Sequence, residues 1–250
     1  MIEFRGLYKR FGSQEVLRGV DLTVREGETL VLLGPSGTGK SVLLKHAIGL
    51  LEPDAGDVVV DGLSISRATP EQLLRVRRKV GYVFQNAALF DSLTVYENLR
   101  LALEDERDAP PRRSLRGAAA DLLGRVNLDP GVLDRYPAEL SGGMRKRVGV
   151  ARAIAHRPRY VLYDEPTTGL DPVNADTIDE LIMELRRDLG VTGIVVTHDL
   201  ESAFRVGDRI ALLDGGVIRA CAAPAEFLAS PDPAVQRFVR RGRAGAAAVA

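Results

Sequence analysis

The sequence is poor in several features that mark particular classes of protein. Its 250 residues include a single cysteine, Cys221, which excludes a disulfide framework and indicates a reducing compartment. No apolar run approaches the roughly 18 residues that a membrane span needs, and the charged opening "MIEFRGLYKRFG" does not resemble a secretory signal. We therefore expect any work at a membrane to be done through a partner. The 34 basic residues balance 34 acidic ones, so bulk charge does not favour nucleic acid as a partner.

The apolar segments of the chain predict an α/β protein. Short strands and turns fill the first third, and from "YVLYD" onwards strands alternate with helices, one of them predicted over 172–189. Such alternation is typical of a parallel sheet with crossover helices. The middle, at about 94–155, is predicted to be mostly helical, interrupted by a surface loop at "EDERDAPPRRS", and the alanine-rich end "RGRAGAAAVA" is predicted to be frayed.

A glycine-rich loop follows the apolar strand "TLVLL". Its sequence, "GPSGTGKS", matches G-x-x-x-x-G-K-[ST], and helical periodicity begins directly after it. Main-chain amides of such a loop bind phosphate oxygens, so Lys40 is predicted to reach the β- and γ-phosphates of a nucleotide and Ser41 to bind Mg²⁺. The alternative is a purely structural glycine turn. The predicted ATP-binding residues of the loop are Gly34, Pro35, Ser36, Gly37, Thr38, Gly39, Lys40, Ser41 and Val42.

Two later strands also end in polar residues. "YVLYDEP" ends in Asp164 and Glu165, and "VVTHDL" places His198 after a β-branched strand. Because ligands bind at the carboxyl ends of strands in open α/β sheets, Asp164 is predicted to hold Mg²⁺, Glu165 to orient or deprotonate the attacking water, and His198 to reach the γ-phosphate. The alternative for the acids is an ordinary solvated strand end. His46 and His156 lack this context and are interpreted as packing or surface residues.

The stretch "ELSGGMRKRVGVARAI" predicts a helix with a bare, glycine-lined start. Ser141 suits the N-cap position, where a hydroxyl accepts a hydrogen bond from a main-chain amide. Met144, Val148, Ala151 and Ala155 recur at helical spacing, which predicts one buried face. Three basic residues follow the methionine, and the basic face of the helix is interpreted as solvated or close to phosphate rather than as a nucleic-acid patch.

In this order, the motifs resemble those of the ATP-binding subunits of ABC transporters. The set comprises the phosphate loop, a glutamine after a strand at Gln85, "LSGG", "YVLYDEP", "TGLD" and His198, and the resemblance covers about residues 2–240. It implies a P-loop NTPase of the ABC cassette type, with a mainly parallel core sheet, an N-terminal antiparallel β subdomain and an inserted helical subdomain. No single motif is decisive, but their shared order leaves little room for coincidence.

The resemblance also implies domain limits. The ATPase domain would occupy residues 1–223, with the helical subdomain at about 86–156. A C-terminal extension would occupy 224–250, with its last residues disordered. In the extension, Val235, Phe238 and Val239 offer apolar surface that could reach across to a neighbouring ATPase subunit.

Roles for individual residues follow from the same resemblance. Phe11 would stack on adenine, although a core phenylalanine is the alternative, and Gln85 would contact Mg²⁺ and the attacking water. The implied cofactors are ATP and Mg²⁺. The implied catalytic residues are Lys40, Gln85, Glu165 and His198, and the implied metal ligands are Ser41, Gln85 and Asp164.

The "LSGG" segment would serve the ATP of a second subunit rather than its own. Because the chain carries both a phosphate loop and "LSGG", a two-fold homodimer would have two complete sites. ATP would join the two copies and hydrolysis would release them. The residues assigned to the partner's ATP are Leu140, Ser141, Gly142, Gly143, Met144 and Asp171.

The finer resemblance is to the ATPases of MCE-type lipid transporters. It rests on Val42, on Met144 and on three segments. These are "YPAELSGGMRKRVGVARAI", "FQNAALFDSLTVYENL" with its apolar "AALF", and the tail "FLASPDPAVQRFVRRG". It implies a permease that docks near residues 85–100, an MCE lipid-binding protein, a small STAS-like subunit, and a peripheral position at the cytoplasmic face of the inner membrane. The substrate would be a phospholipid or another hydrophobic molecule, and nucleic acid would not be a partner.

Three alternatives stay open. An ABC importer ATPase for a polar solute such as an amino acid shares every catalytic motif. A soluble ABC ATPase of DNA repair or translation is disfavoured, because such chains carry coiled-coil insertions or tandem cassettes. A binding module with an inactive ATPase is disfavoured by the intact Lys40, Asp164, Glu165 and His198.

Overall fold

The computed structural model describes residues 1–104 and 114–247, with side chains as far as residue 241. The strands are β1 (Ile2–Phe11), β2 (Gln14–Val24), β3 (Thr29–Leu33), β4 (Ala55–Val60), β5 (Leu63–Ser64), β6 (Val80–Val83), β7 (Tyr160–Asp164), β8 (Thr192–Thr197), β9 (Arg209–Asp214) and β10 (Val217–Ala222). The helices are α1 (Lys40–Ala47), α2 (Pro70–Arg77), α3 (Val95–Glu104), α4 (Leu115–Arg125), α5 (Gly142–Ile154), α6 (Pro172–Leu189), α7 (Leu200–Val206), α8 (Pro224–Leu228) and α9 (Pro233–Ala247). Within this described part of the chain, no helix combines the length and apolar character needed to cross a membrane.

The larger sheet has the strand order β10-β9-β3-β8-β7-β6. Strands β9, β3, β8, β7 and β6 run parallel, whereas β10 runs antiparallel to β9 at the edge. Every residue of β3, β7 and β8 is buried, because apolar clusters cover both faces of the sheet. This explains why these strands appear in the sequence as continuous apolar runs, and it confirms the prediction of a mainly parallel core sheet.

The smaller sheet has the order β2-β1-β4-β5 and is antiparallel throughout. Together with α1 it packs over one face of the larger sheet. Leu22 of β2, Leu32 of β3 and Leu44 of α1 belong to the apolar core that results. The expected antiparallel subdomain near the N-terminus is therefore confirmed.

Helices α3, α4 and α5 pack against one another on the other side of the molecule. Leu99, Leu123 and Val148 are fully buried in the core of this side. A reciprocal cap starts α3, because the Thr94 amide donates to Glu97 Oε2 at 2.8 Å and the Glu97 amide donates to Thr94 Oγ1 at 3.3 Å. The helices occupy the region for which a helical subdomain is predicted, while most of the loop predicted at "EDERDAPPRRS" lies outside the described residues.

The C-terminal helices α8 and α9 pack against their own chain. Val235 and Val239 are buried in the core beside α7, and Phe238 is partly buried there. The side chains expected to contact a neighbouring subunit are therefore used within the chain. The end predicted to be frayed, at 241–250, overlaps α9 as far as Ala247, where arginine and alanine favour helix. Its fraying stays a prediction. The residues after α9 lie outside the described part.

A buried carboxyl group links α6 to α7. Asp179 is 3% exposed, and its Oδ1 accepts a hydrogen bond of 2.7 Å from the Ser202 hydroxyl. Burial raises the pKa of Asp179 to about 6; the nearby acids Asp199 and Asp176 act in the same direction, and Ser202 and Arg205 act against it. Between pH 3.8 and about 6, the folded protein therefore holds a proton here that an unfolded chain would release.

This proton predicts a pH-dependent effect of Asp179→Asn. Because the pKa is raised above its ordinary value of 3.8, the stability contributed by this group is full below that value and is lost as the pH rises through about 6. The neutral amide avoids the loss and can still accept from Ser202. We expect the variant to melt about 2–6 °C above the unmodified chain at pH 8, with a smaller difference at pH 5. Equal differences at the two pH values in thermal denaturation would contradict this.

Candidate functional site

The candidate site lies where three neighbouring strands of the larger sheet end. Strand β8 lies between β3 and β7, and all three are parallel. Their carboxyl ends consequently lie at one edge of the sheet. The phosphate loop follows β3, the acidic pair Asp164 and Glu165 closes β7, and His198 follows β8. The topology thus brings together residues that are more than 150 positions apart in the sequence.

The phosphate loop turns sharply into α1. Gly39, just before the helix, has a φ of 98°, and a Cβ at this position would lie 2.7 Å from Val16 Cγ1, so both backbone and space require glycine. Lys40 is buried, and its ammonium donates to the carbonyls of Gly34 at 2.8 Å and Pro35 at 3.1 Å. The loop therefore folds around its own lysine, whose charge faces the concave side of the turn.

The candidate magnesium donors lie against each other. The Ser41 hydroxyl donates to Asp164 Oδ1 at 2.6 Å, and the Tyr82 hydroxyl donates to Asp164 Oδ2 at 3.0 Å. Burial, together with the Asp164 charge, raises the pKa of Tyr82, so Tyr82 stays a donor. The described residues include no cluster of three or more His, Cys, Asp or Glu side chains able to hold a metal. A serine oxygen and one carboxylate fit Mg²⁺ that takes its other ligands from water and phosphate.

Glu165 is oriented by several contacts. Its Oε2 lies 2.8 Å from His198 Nδ1 and accepts a hydrogen bond of 3.0 Å from the Thr168 hydroxyl. Its Oε1 lies 3.4 Å from Lys40 Nζ. The backbone has a φ of 51°, a left-handed conformation that costs a non-glycine residue about 1–3 kcal/mol, and the amide donates to Val196 O at 3.0 Å. These contacts therefore keep the Glu165 backbone in a strained conformation and fix the orientation of its carboxylate.

Gln85 follows β6 and is exposed. The segment "AALF", which follows, is only partly exposed: Ala87 is buried, whereas Phe90 is 56% exposed. Arg152 of α5 fastens this segment by donating to the carbonyls of Ala88 at 2.7 Å and Ala87 at 3.0 Å. The segment "AALF" is thus pinned to the core at its start and ends in an exposed aromatic ring.

The "LSGG" residues lie at the start of α5. Ser141 is exposed, and its hydroxyl accepts from the Met144 amide at 3.2 Å, which makes it the N-cap. Leu140 is buried, and Met144 packs partly buried against the core. Among the described residues, no hydrogen bond joins Ser141 to the phosphate loop of its own chain. Ser141 is therefore exposed at the start of α5, whereas Gly143 is buried.

The second glycine of "LSGG" has a contact that the sequence did not reveal. A Cβ on Gly143 would lie 2.4 Å from Asn174 Oδ1. Asn174 is in turn held by Asp171, which accepts from its amide at 3.1 Å and from its Nδ2 at 2.6 Å and whose pKa is lowered by these bonds. Asn174 therefore links two of the segments assigned to the partner's ATP, "LSGG" and "TGLD", within one chain.

Two remaining expectations have mixed outcomes. Phe11 is 46% exposed and has Lys9 Nζ 5.5 Å from its ring centroid, so its contact with adenine stays a prediction. The three basic residues after Met144 do not share one environment: Arg145 is exposed, Lys146 is buried, and Arg147 donates to the Asn127 carbonyl at 2.7 Å. The interpretation of the basic face as solvated therefore holds for Arg145 and not for Lys146.

These features are those of a P-loop nucleotide-binding protein, with its polar residues gathered at the carboxyl edge of a parallel sheet. Residues 17–168 match the family described as "ABC transporter". The chain belongs to this family, as an ATP-binding cassette of ABC transporters. It is accordingly an ATPase whose cofactors are ATP and Mg²⁺.

Known relatives and solved structures agree with this assignment. The "Probable ribonucleotide transport ATP-binding protein mkl" of Mycobacterium bovis is 39% identical over 98% of this chain and 67% of its own length. The "Glycine betaine/carnitine/choline transport ATP-binding protein OpuCA" of Bacillus subtilis is 38% identical over 93% of this chain and 60% of its own length. A dimeric post-hydrolysis structure of the cassette MJ0796 with ADP and Pi superposes with a TM-score of 0.82, at 33% identity, over 90% of this chain and 99% of that one.

Proposed function

We propose that this chain powers a lipid transporter through ATP-driven closure of two identical copies, at the cytoplasmic face of the inner membrane. The observation that carries the proposal is the split of the ATP machinery. Lys40, Asp164, Glu165 and His198 converge at one sheet edge, whereas Ser141 lies exposed at the start of another helix. A second copy, related by a two-fold axis, would bring its own Ser141 to this edge, and the Ser141 of the first copy would reach the same edge of the second.

Each residue at the sheet edge would have a distinct task. Lys40 would release its hold on the loop carbonyls and donate to the β- and γ-phosphates. Ser41, Asp164 and Gln85 would hold Mg²⁺, which supplies positive charge to the phosphates when bound. Glu165 would orient and deprotonate the attacking water. His198, which already fixes the Glu165 carboxylate, would contact the γ-phosphate.

The permease would dock on the segment after Gln85. Phe90 projects from this segment with more than half of its surface exposed, while Arg152 and Asn98 fasten the main chain beneath it. An exposed aromatic side chain on a fixed main chain suits the receipt of a short apolar helix from a membrane partner. Gln85 directly precedes this segment, so the proposed docking surface and a proposed magnesium ligand lie on one continuous stretch of main chain.

A hydrophobic substrate is supported by the finer resemblance. Val42, Met144, "AALF" and the tail after Ala223 are the marks shared with MCE-type systems, which implies an MCE lipid-binding protein and a small STAS-like subunit as further partners. The burial of Val235 and Val239 within the chain removes one reason to route the tail towards a neighbour. It leaves the other three marks in place.

The second candidate is the ATPase of an importer for a polar solute. It is favoured by the similarity to OpuCA, whose name gives glycine betaine, carnitine and choline as its substrates. The two candidates share the site residues and differ in their partners. A role in DNA repair or translation has less support, because the chain has no surplus of basic residues.

Purification of the tagged full chain from its native membranes separates the candidates. Recovery of a permease with an MCE-type partner is the expected result, and recovery of a permease with a solute-binding protein would support the importer instead. Phe90→Asp is expected to reduce the recovered permease at least about tenfold, as loss of an interface anchor does. Leu74→Asp is the matched control, because Leu74 is an exposed leucine on α2, well before the docking segment. Equal recovery with both variants would remove Phe90 from the docking surface.

A further inference from the structure

The second basic residue after Met144 occupies an unusual place. Lys146 lies on α5 and is only 7% exposed. Its ammonium donates to the main-chain carbonyl of Gln85, and to that of Glu165 at 3.3 Å. One buried cation thus joins the helix that begins with "LSGG" to the main chain of two residues at the candidate catalytic edge.

Burial of the Lys146 charge costs free energy, which the contacts of the ammonium have to offset. Burial lowers the pKa of the Lys146 ammonium, while the carboxylates of Glu165 and Asp164 act in the opposite direction. An apolar side chain would fill the same position without the cost of removing a charge from water. Both contacts go to carbonyls, which are fixed points of the main chain, rather than to a mobile carboxylate. The arrangement is that of a clamp on the main chain.

The clamp acts where the backbone of Glu165 is strained. With a φ of 51°, Glu165 stays in the left-handed region only while its neighbouring peptide groups are held. Its amide is held by the Val196 carbonyl, and its carbonyl is held by Lys146. His198 and Thr168 orient the carboxylate itself. Without Lys146, the Glu165 carbonyl would lose the hydrogen bond that ties it to α5.

We propose that Lys146 is a positioning residue for hydrolysis: it holds the peptide groups of Gln85 and Glu165 in place and fastens α5 to the catalytic edge of its own subunit. The inference rests on the proposed roles of these two residues. A displacement of α5, when its exposed start meets the partner's nucleotide, is passed through Lys146 to the carboxylate that acts on the subunit's own nucleotide. The two ATP sites of a dimer are thereby linked through one side chain in each subunit.

The test compares Lys146→Met with Lys146→Arg and Arg147→Met in steady-state ATPase assays of the full chain. Lys146→Met should reduce kcat about 10–100-fold, the scale of a small misplacement of catalytic groups, with KM for ATP within about twofold. Lys146→Arg keeps a charged donor and should recover most of kcat. Arg147→Met is the matched control, because Arg147 also donates to a main-chain carbonyl from α5, but to that of Asn127. It should keep kcat within about twofold.

A second measurement separates hydrolysis from closure. In the Glu165→Gln background, Lys146→Met should still form the ATP-bound dimer, because the clamp orients groups that act after closure. If Lys146→Met is poorly folded, Lys146→Gln, which keeps N–H donors on a shorter side chain, replaces it and should lose less kcat. An unchanged kcat, or a loss that matches a lower stoichiometry of bound ATP, would overturn the proposal. Absence of ATPase activity in the unmodified chain would instead refute the proposed function.

Discussion

Glu165→Gln is expected to reduce ATP turnover by about 10²–10⁴-fold, the usual contribution of a general base, while ATP still binds. The amide has nearly the same shape as the carboxylate and can keep the contact with the Thr168 hydroxyl, but it has no negative charge with which to take a proton from water. The ion pair with Lys40, at 3.4 Å, is also lost, which removes one of the contacts that compete with phosphate for the lysine. Binding should therefore be retained when hydrolysis is not.

The same variant should accumulate as an ATP-bound dimer, because closure precedes hydrolysis in the proposed cycle. Light scattering with and without ATP measures this, alongside equilibrium nucleotide binding and steady-state turnover. Glu180→Gln is the matched control, since Glu180 is an exposed glutamate on α6, and it should behave like the unmodified chain. Turnover of Glu165→Gln close to that of the control would remove Glu165 from the role of base.

The edge of the sheet could be predicted because its signals are local. The phosphate loop is a contiguous pattern, and Asp164, Glu165 and His198 each follow an apolar strand directly. The rule that parallel strands bring their carboxyl ends together then places these residues in one site without knowledge of the contacts. What this reasoning cannot supply is the set of bonds within the site. The contact from Tyr82 joins two neighbouring strands, and the contact from Thr168 depends on how the chain turns after Glu165.

Lys146 was missed for a different reason. Three consecutive basic residues suggest one basic face, but successive residues of a helix point about 100° apart. Arg145 consequently meets solvent, while Lys146 points into the protein. The periodicity of Met144, Val148 and Ala151 predicts that a buried side exists, but it does not show that a cation extends into it. The carbonyls of Gln85 and Glu165 accept hydrogen bonds from this cation, and their positions are known only from the structure.

The C-terminal helix shows a related limit. The spacing of Val235, Phe238 and Val239 correctly indicates that one face of α9 is buried. An amphipathic pattern does not identify the surface that covers this face. Either a neighbouring subunit or the chain's own core could cover the apolar face of α9. In the structure the chain's own core covers it.

Ser141→Arg is expected to reduce ATP hydrolysis by about 10²-fold or more, the scale on which a lost transition-state contact is felt, while the isolated subunit binds ATP normally. Ser141 is exposed, and its hydroxyl bonds the Met144 amide rather than the phosphate loop of its own chain. In the proposed dimer, a long side chain at this position would fill the space that the partner's γ-phosphate occupies on closure. Ser141→Ala is the control for the helix cap, because it removes the hydroxyl, at about 1 kcal/mol of stability, without adding bulk. It should retain more activity than Ser141→Arg.

Mixing two inactive variants tests whether the site is shared between copies. A subunit with Ser141→Arg has an intact phosphate loop, and a subunit with Lys40→Ala has an intact "LSGG". In a mixed dimer, one of the two sites combines the intact parts of both chains, so mixing should restore about a quarter of the unmodified activity if the sites act independently. If "LSGG" acted on the ATP of its own chain, every site in the mixture would be defective and no activity would return. A loss of ATP binding by the isolated Ser141→Arg subunit would point to the same conclusion, because the substitution would then be affecting the nucleotide site of its own chain.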